Sequence, residues 1–336
     1  MKKVALITGI TGMVGSHLLD LLIKKTNWKI FGMCRWRSSS ENIAHQIYLS
    51  NQKNPRLTFL TADLNDYSSI INILEESKPD YVFHLAAQSY PLVSFSEPNS
   101  TLSTNIIGTY NLLNGIRHLN LKSKIHICSS SEIFGRVEKK NLPIKENCSF
   151  HPASPYAISK VGTDLIGRFF YEAYKQKIFI TRMFTHTGPR RGDVFAESSF
   201  AKQIAMIEEK KIEPNVKVGN LNSLRTFADV RDAVNAYYIL LKNDYKAGEA
   251  YNIGGNYTCK IGDMLKFLIS QSTVPNIKII KDKKRIRLID ADLQIPDTSK
   301  FRLLTNWRPK ISFEKTMLDL LNYWREKVKK RDYMDR

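Results

Sequence analysis

The sequence predicts an α/β protein with a doubly wound parallel sheet and a smaller mixed α/β lobe. From residue 3 to about 180, short apolar runs alternate with longer amphipathic stretches, which is the pattern of parallel strands joined by crossover helices. Beyond about residue 185 this rhythm becomes irregular, starting near Gly188-Pro189. We therefore expect residues 1–184 to form the sheet domain and residues 185–336 to form mainly the lobe, with about 226–252 returning to the sheet domain.

The individual elements follow from the spacing of the apolar residues. Six short runs predict strands at residues 3–7, 29–33, 57–61, 81–85, 124–128 and 178–183. Apolar residues at helical spacing predict helices at 16–25, 68–77, 104–118 and 157–175. Beyond residue 185 we expect helices at 198–211, 230–242 and 261–270, with short strands near residue 216 and at 250–253. A ligand is expected at the carboxyl ends of the strands.

Composition and charge argue against several classes of protein. The cysteines Cys34, Cys128, Cys148 and Cys259 are far apart and lack zinc-ligand spacing, so we expect free thiols and no metal site. The formal charge of +19 is scattered along the chain, which argues against nucleic-acid binding and suits an anionic substrate such as a nucleotide diphosphate. No apolar run has the length of a signal peptide or a membrane span, so we expect a cytoplasmic protein.

A glycine-rich segment connects the first predicted strand to the first predicted helix. Gly9 permits a tight turn, Gly12 lets the backbone approach a pyrophosphate, and Gly15 allows close packing of the helix. The helix N-terminus offers unpaired N–H groups to the anion. The segment therefore predicts a dinucleotide site on a doubly wound parallel Rossmann sheet. The residues expected to hold the pyrophosphate are Gly9, Thr11, Gly12, Met13, Val14 and Gly15.

The end of the second predicted strand distinguishes the two nicotinamide cofactors. An acidic residue at this position binds the ribose 2′-hydroxyl of NAD, whereas an arginine accepts the 2′-phosphate of NADP. Arg35, with Arg37 and Ser38, therefore favours NADP, and NAD stays the alternative. Further cofactor contacts are expected after the third and fourth strands, from Asp63, Leu64, Leu85, Ala86, Ala87 and Gln88.

Candidate catalytic residues lie at the fifth strand and at the start of the longest helix. Tyr156 and Lys160 are four residues apart, which places them on one helix face. A tyrosine has a pKa near ~10, and a nearby ammonium stabilises the phenolate, so the pair could act as a general base. Ser130 and Glu132 follow the fifth strand and add a hydroxyl and a carboxyl for proton transfer.

Six segments together resemble the GDP-mannose 4,6-dehydratase family: residues 8–16, 85–89, 94–98, 129–132, 154–156 and 187–192. Residues 200–204, 217–225 and 229–232 are equally similar to the related GDP-4-keto-6-deoxymannose reductases. Both groups are extended short-chain dehydrogenases/reductases of the NAD-dependent epimerase/dehydratase superfamily. The resemblance implies a nucleotide-sugar 4,6-dehydratase, and it implies that the loop at 35–41 reaches a neighbouring subunit in a dimer or tetramer.

Roles for individual residues follow from this resemblance. It implies that Tyr156 is the base at the sugar C4 hydroxyl, that Ser130 assists it, and that Lys160 orients the cofactor. Glu132 would then move the C5 proton and the C6 leaving group. The resemblance adds His186 and Arg191 to the cofactor site. The residues that it places at the substrate are Ser89, Ser131, Thr185, Lys202, Val218, Asn220, Arg225, Arg287 and Asp290.

Alternatives remain open at this point. An NADPH-dependent reductase of a GDP-4-keto-6-deoxy sugar would share the fold and most motifs, and an epimerase or decarboxylating relative acting on a UDP-sugar would share fewer. A cofactor-binding regulatory protein without chemistry is disfavoured, because Ser130, Glu132, Tyr156 and Lys160 are all present. The sequence leaves open whether the sugar is mannose or a longer one such as GDP-manno-heptose.

Overall fold

The computed structural model describes residues 2–52, 56–286, 288–289 and 291–330. Its strands are β1 (Val4–Thr8), β2 (Lys29–Cys34), β3 (Leu57–Thr61), β4 (Tyr81–His84), β5 (Lys124–Cys128), β6 (Lys177–Met183), β7 (His186–Thr187), β8 (Asn215–Val218), β9 (Leu224–Asp229), β10 (Ala250–Ile253), β11 (Tyr257–Lys260), β12 (Lys278–Lys281) and β13 (Leu293–Gln294). Its α-helices are α1 (Met13–Lys25), α2 (Ala44–Gln52), α3 (Tyr67–Ser77), α4 (Val93–Ser96), α5 (Pro98–Leu102), α6 (Gly108–His118), α7 (Pro155–Tyr174), α8 (Ala196–Glu208), α9 (Val230–Lys242), α10 (Ile261–Ser270), α11 (Ser299–Thr305) and α12 (Phe313–Lys329).

The large sheet confirms the predicted parallel architecture. Its seven strands run in the order β10-β6-β5-β4-β1-β2-β3, and every neighbouring pair is parallel. The chain builds outward from β1 to β3 and then returns to the other side of β1 with β4. The strand order therefore reverses between β1 and β4, where open α/β sheets bind their ligands.

Helices cover both faces of this sheet, which makes it doubly wound. On one face, the apolar sides of α1 and α9 pack together, with Leu18, Leu22 and Tyr237 among the buried residues. On the other face, α3, α6 and α7 form a second core that includes Leu74 and Leu112. Because the central strands are buried on both sides, they are continuous apolar runs rather than alternating ones.

The smaller lobe is mixed, as predicted. β9 lies between β11 and β13 and also pairs with β7, while β8 and β12 form a separate parallel pair. α8, α10 and α12 enclose a third apolar core with the lobe strands. After β9 the chain returns to the large sheet, because α9 packs on α1 and β10 pairs with β6.

Two helix starts differ from the predicted positions by three residues or more. α1 begins at Met13 rather than at residue 16, because Gly12 is extended and the helix begins directly after it. The helix predicted at 104–118 is the last part of a longer helical stretch, in which Ser103–Ile107 has π-helical geometry and precedes α6. The carbonyl of Asn105 accepts hydrogen bonds from the hydroxyls of Thr109 and Thr163 in this wide turn. None of the helices in the described ranges has the length and apolarity needed to cross a membrane.

Candidate active site

The glycine turn after β1 packs tightly against the loop after β4. Gly9 has a φ of +70°, and a Cβ atom at this position would lie 2.8 Å from backbone atoms of Ala86. The Thr8 hydroxyl accepts hydrogen bonds from the N–H groups of Leu85 and Ala86, both at 3.1 Å. This packing requires a glycine and leaves the N-terminus of α1 open toward the crevice between β1 and β4. The turn therefore has the shape of a pyrophosphate cradle.

A cleft of about 330 Å³ lies beside this cradle, at the ends of β2 and β3. Its polar lining combines two guanidinium groups with two carboxylates, and the side chain of Trp36 beside it is 79% exposed. Cations and acids in one cleft fit an adenosine with an added phosphate, because arginine binds phosphate and a carboxylate can accept from a base or ribose. The lining residues are Arg35, Trp36, Arg37, Thr61, Ala62, Asp63, Asp66 and Ser69.

Tyr156 and Lys160 lie on the buried face at the start of α7. Ser154 caps this helix by accepting a hydrogen bond of 3.0 Å from the N–H of Ala157, and Pro155 occupies the first turn. The N–H of Tyr156 donates to the Ser94 hydroxyl at 3.1 Å. The Lys160 ammonium donates to the carbonyl oxygen of Cys128 at 2.7 Å. Capping and these contacts fix both side chains at the carboxyl end of β5.

The electrostatics around the tyrosine act in opposite directions. Burial raises the pKa of the Tyr156 phenol above its ordinary value, while a hydrogen bond with Ser130 and the positive charge of Arg191 lower it. The charges of Cys128 and Glu132 also raise the pKa of this phenol, each by more than Arg191 lowers it. Burial also lowers the pKa of Lys160 below its ordinary value. A phenol in this protein environment needs the nearby cations to lose its proton near neutral pH.

Ser130 and Glu132 form a short turn at the end of β5. Ser130 is extended and precedes a 3₁₀ turn at Ser131–Ile133, and its hydroxyl accepts a hydrogen bond of 3.2 Å from the Glu132 N–H. Ser131 is buried in the same turn. The structure therefore brings Ser130, Glu132 and Tyr156 together, as the sequence predicts, although they come from two elements.

Arg191 is largely buried beside the candidate catalytic residues. Its guanidinium lies flat against the ring of Phe195, 3.3 Å from the ring centroid, and its Nε is 3.2 Å from a carboxylate oxygen of Glu197. Nearby, His186 is neutral, because burial and the charge of Arg191 lower its pKa to about 3. The two residues that the resemblance adds to the cofactor site therefore provide one fixed charge and one uncharged ring.

Lys202, Thr185 and the loop of Ser89 are held by defined contacts. The Lys202 ammonium is 3.0 Å from Asp193, and both side chains are largely buried. Thr185 uses its carbonyl to accept the N–H of Ala228 at 2.9 Å, which joins the end of β6 to the lobe. Gln88 places its side-chain oxygen 2.7 Å from the N–H of Tyr90 and so shapes the loop that contains Ser89.

Other predicted substrate residues have contacts within the lobe. Arg225 is buried and donates to the backbone carbonyls of Leu224 and Ala291. Asn220 lies in a turn and donates to the Ser223 hydroxyl at 2.9 Å, and Val218 is fully buried in the lobe core. Arg287 and Asp290 lie outside the described residues. These substrate assignments stay predictions.

Three site residues carry no assignment from the sequence. Ser94 holds the backbone of Tyr156, and Tyr90 packs edge-on against Phe195 with ring centroids 5.5 Å apart. Ser94 lies in one of the segments that carry the family resemblance, yet a single serine without a repeating pattern gives no signal of a tertiary contact. Tyr90 and Phe195 read as ordinary loop aromatics in the sequence.

Comparison with known proteins places this site in a family. The sequence profile of the family described as GDP-mannose 4,6 dehydratase matches residues 6–320. GDP-mannose 4,6 dehydratase 2 of Caenorhabditis elegans is 30% identical over 344 residues, which cover 95% of this chain and 88% of that protein. GDP-6-deoxy-D-mannose reductase of Pseudomonas aeruginosa is 28% identical over 330 residues, covering 98% and 99% of the two chains.

A solved structure agrees with the sequence comparisons. The structure of RMD from Pseudomonas aeruginosa complexed with NADPH superposes with a TM-score of 0.79 at 27% identity, covering 97% of this chain and 100% of that one. The profile match extends over most of the chain and includes every residue of the proposed catalytic group. The chain therefore belongs to the GDP-mannose 4,6-dehydratase family.

Proposed function

We propose that the protein is an NADP-dependent GDP-sugar 4,6-dehydratase. It would convert GDP-mannose, or a related sugar such as GDP-manno-heptose, to the 4-keto-6-deoxy product. The observation that carries this proposal is the convergence of Tyr156, Ser130 and Glu132 beside the glycine cradle, in a chain that belongs to the dehydratase family. A base, a hydroxyl and a carboxyl are the groups that oxidation at C4 and elimination at C5 and C6 require.

The cofactor proposal rests on the shape and charge of the crevice. The glycine turn would hold the pyrophosphate, Arg35 and Arg37 the 2′-phosphate, and Lys160 the nicotinamide ribose. When bound, NADP supplies a hydride acceptor at C4 and returns the hydride at C6, so it is recycled in each turnover. We propose that it stays tightly bound for this reason, and NAD is the alternative cofactor.

The first chemical role of the chain is removal of a proton at C4. The Tyr156 phenolate would accept the proton of the C4 hydroxyl, while the Ser130 hydroxyl donates a hydrogen bond to the reacting oxygen. The charge of Arg191 favours the ionised form of this phenol, and the Lys160 ammonium, one turn further along α7, would add to this effect. Burial of Tyr156 excludes water that would compete for the same proton.

The second role is elimination of water, for which Glu132 is the proposed acid and base. Its carboxylate would take the proton from C5, which is acidic beside the C4 carbonyl, so that the C5–H electrons form the C5–C6 double bond. The C6–O bond breaks, and the same carboxyl group delivers the proton that turns the C6 hydroxyl into water. The carboxylate is thereby restored, so one residue balances both proton transfers of the elimination. When the hydride returns to C6, C5 would take up one proton, which balances the proton that Tyr156 removed from the C4 hydroxyl.

The nucleotide end of the substrate would bind at the lobe. Lys202 and Arg225 supply buried cations on that side, and a diphosphate requires such donors. Arg287, Asp290, Ser89, Ser131, Thr185, Val218 and Asn220 complete the proposed substrate set.

We also propose that the protein is a homo-oligomer, a dimer or a tetramer. α6 and α7 pack side by side, and their outer faces expose large apolar side chains. Two copies of this helix pair could bury their apolar faces in a four-helix contact. The exposed residues are Tyr110, Ile158, Leu165, Phe169 and Tyr174.

One second function has a specific observation in its favour. The Pseudomonas aeruginosa reductase matches nearly the full length of this chain, so a net NADPH-dependent reduction of a GDP-4-keto-6-deoxy sugar is the alternative. The two reactions differ in cofactor balance, because a dehydratase recycles its cofactor and a reductase consumes one NADPH per turnover.

The deciding experiment supplies GDP-mannose and a catalytic amount of NADP to the purified enzyme. Loss of one water from the sugar with no net change in cofactor absorbance supports the dehydratase. No reaction, followed by stoichiometric oxidation of NADPH with a 4-keto sugar, replaces it with the reductase. If the enzyme is inactive in both assays but dehydrates GDP-manno-heptose, the proposed reaction stands and the substrate is the heptose.

A further inference from the structure

Trp324 on α12 contacts Ser198, which holds the loop of Arg191, and it also contacts Lys202. Its indole Nε1 donates a hydrogen bond of 2.8 Å to the Ser198 hydroxyl, and this hydroxyl donates one of 2.7 Å to the carbonyl oxygen of Arg191. The ring of Trp324 lies below the Lys202 ammonium, 5.7 Å from the ring centroid. One side chain of the C-terminal helix is therefore connected to the Arg191 loop and to Lys202.

The two hydrogen bonds from Trp324 to Ser198 and from Ser198 to Arg191 have a fixed direction. Trp324 and Ser198 are 5% and 0% exposed, so bulk water does not replace their contacts. The indole N–H can only donate, and the serine has a single proton, which is directed at the Arg191 carbonyl. Replacing Trp324 by Phe therefore removes one donor, keeps an aromatic ring, and leaves the serine oxygen without its partner.

The loop that carries Arg191 needs such a restraint. Gly188 and Arg190 have φ values of +146° and +69°, and the second is an unfavourable conformation for a residue with a side chain. On the sheet side, the loop is held by His17, whose Nε2 is 3.1 Å from the Pro189 carbonyl. On the lobe side it is held by the hydrogen bonds from Trp324 to Ser198 and from Ser198 to Arg191. Without the second restraint, the backbone of Arg191 could shift, and the position of its guanidinium would depend on the contacts with Phe195 and Glu197.

This position matters because packing connects it to the catalytic tyrosine. Phe195 packs edge-on against Tyr90, whose carbonyl accepts the N–H of Ser94 at 3.1 Å. The Ser94 hydroxyl in turn accepts the N–H of Tyr156 at 3.1 Å. The positive charge of Arg191 also lowers the pKa of the Tyr156 phenol. The other titratable groups around Tyr156 are Cys128 and Glu132, whose charges raise its pKa, Tyr237, and Lys160 one turn further along α7.

We propose that Trp324 is a positioning residue for the reaction: its N–H fixes the loop that holds Arg191 near Tyr156, and its ring supports Lys202 on the substrate side. The proposal rests on the proposed function for its kinetic part only. The C-terminal helix thereby links proton transfer at Tyr156 to binding of the nucleotide sugar at Lys202.

The kinetic test compares two variants that each remove the hydrogen bond between Trp324 and Ser198. Trp324→Phe and Ser198→Ala should each lower kcat about fivefold to tenfold, the equivalent of one hydrogen bond, with KM for the sugar within about twofold of wild type. In both variants the acid limb of the pH profile should move to higher pH, because the Arg191 charge no longer stabilises the phenolate. Trp324→Leu should in addition raise KM about twofold to fivefold, since the ring below Lys202 is lost.

A second measurement needs no substrate and separates this proposal from the proposed function. In both hydrogen-bond variants, deuterium exchange of the peptide that covers residues 188–195 should be about fivefold faster than in the wild-type enzyme. Trp307→Phe is the matched control, because its buried indole N–H has no hydrogen-bond partner within the described residues. This control should keep wild-type exchange in the loop and kcat within about twofold of wild type.

The outcomes separate the two claims. Faster exchange in the loop without dehydration of any nucleotide sugar by the wild-type enzyme would leave the positioning role supported and remove the proposed function. Wild-type exchange in the loop together with an unchanged pH profile in Trp324→Phe and Ser198→Ala would overturn the positioning role. An equal loss of kcat in Trp307→Phe would also overturn it, because the effect would then be general destabilisation.

Discussion

Asp164 on α7 and Arg182 on β6 form a two-point ion pair in the interior of the sheet domain. Arg182 Nε lies 2.8 Å from Asp164 Oδ2, and its Nη2 lies 3.0 Å from Oδ1. The side chains are 3% and 0% exposed, and the remaining guanidinium nitrogen donates to the carbonyl of Glu146. Because α7 also carries Tyr156 and Lys160, this pair ties the catalytic helix to the sheet.

Removing one partner of this pair should destabilise the protein strongly. Asp164→Ala leaves an uncompensated buried guanidinium, so we expect the free energy of unfolding to fall by about 3–5 kcal/mol in urea denaturation. The double variant Asp164→Leu with Arg182→Met replaces both charges by apolar groups and should recover most of this loss. A loss below about 1 kcal/mol in the single variant would show that the pair contributes little.

Tyr156→Phe removes the proposed base and changes little else. We expect kcat to fall by about 100-fold to 10,000-fold, because general base catalysis typically contributes that factor. Binding of NADP, measured by calorimetry, should stay within about threefold of wild type, since the aromatic ring and Lys160 remain. Tyr174→Phe on the exposed end of the same helix is the control and should keep full activity. Comparable activity in the two variants would contradict the assigned role.

Most of the large sheet is predictable because its signals are local. The six predicted strands correspond to β1 through β6, and each prediction depended on a short apolar run bounded by polar residues. The order of the strands is not predictable from local signals, because the placement of β10 beside β6 depends on contacts between residues far apart in sequence. The π-helical turn at Ser103–Ile107 was not predictable from spacing, since it depends on two hydroxyls that bind the Asn105 carbonyl.

The candidate active site also has a part that the sequence predicts and a part that it does not. The candidate catalytic residues lie after a strand end or at a helix start, so their positions in the sequence predict that they lie at the carboxyl edge of the sheet. They are Tyr156, Lys160, Ser130 and Glu132. The stacking of Arg191 on Phe195 joins residues of one loop, yet its support by Trp324 comes from a helix more than a hundred residues later in the chain. No periodicity or motif encodes such a contact.

The cofactor preference should change when Arg35 is removed. Arg35→Ala eliminates a charge-assisted contact to the 2′-phosphate, so the Kd for NADP should rise about 10-fold to 100-fold. The Kd for NAD, which lacks this phosphate, should change less than about threefold. Lys24→Ala on the remote end of α1 removes a positive charge of the same sign and serves as the electrostatic control. An equal loss of affinity for both cofactors would contradict recognition of the 2′-phosphate by Arg35.

Glu132→Gln keeps the size of the side chain and removes its ability to exchange protons. We expect the dehydration rate to fall by about 100-fold to 10,000-fold with little change in KM for the sugar. In deuterium oxide, incorporation of deuterium at sugar C5 should disappear with it. Glu138→Gln, which alters a surface ion pair with Lys140, is the matched control and should behave as wild type. Undiminished exchange at C5 in Glu132→Gln would assign the proton transfer to another residue.

Buried histidines should make the fold sensitive to acid. Burial is the main cause that lowers the pKa of His17 to about 4 and the pKa values of His84 and His126 to about 3. Their ordinary value is about 6.5, so the unfolded chain binds more protons than the folded chain between that pH and the lower values. The stabilisation is complete above about pH 6.5 and decreases as the pH falls, by about 1.4 kcal/mol per pH unit for each histidine.

His84 allows this linkage to be tested at one site. Its two ring nitrogens lie 3.0 Å from the hydroxyls of Thr8 and Thr109, so an amide side chain could satisfy part of the same network without titrating. His84→Gln should therefore lower stability at pH 7.5 but show a smaller loss between pH 6.5 and 5, as measured by urea unfolding at several pH values. The difference in slope should be about one proton, because only one titrating group has been removed. An unchanged slope would mean that His84 binds its proton equally in the folded and unfolded chains. Its contribution to acid sensitivity would then have to be assigned to His17, His126 and His186.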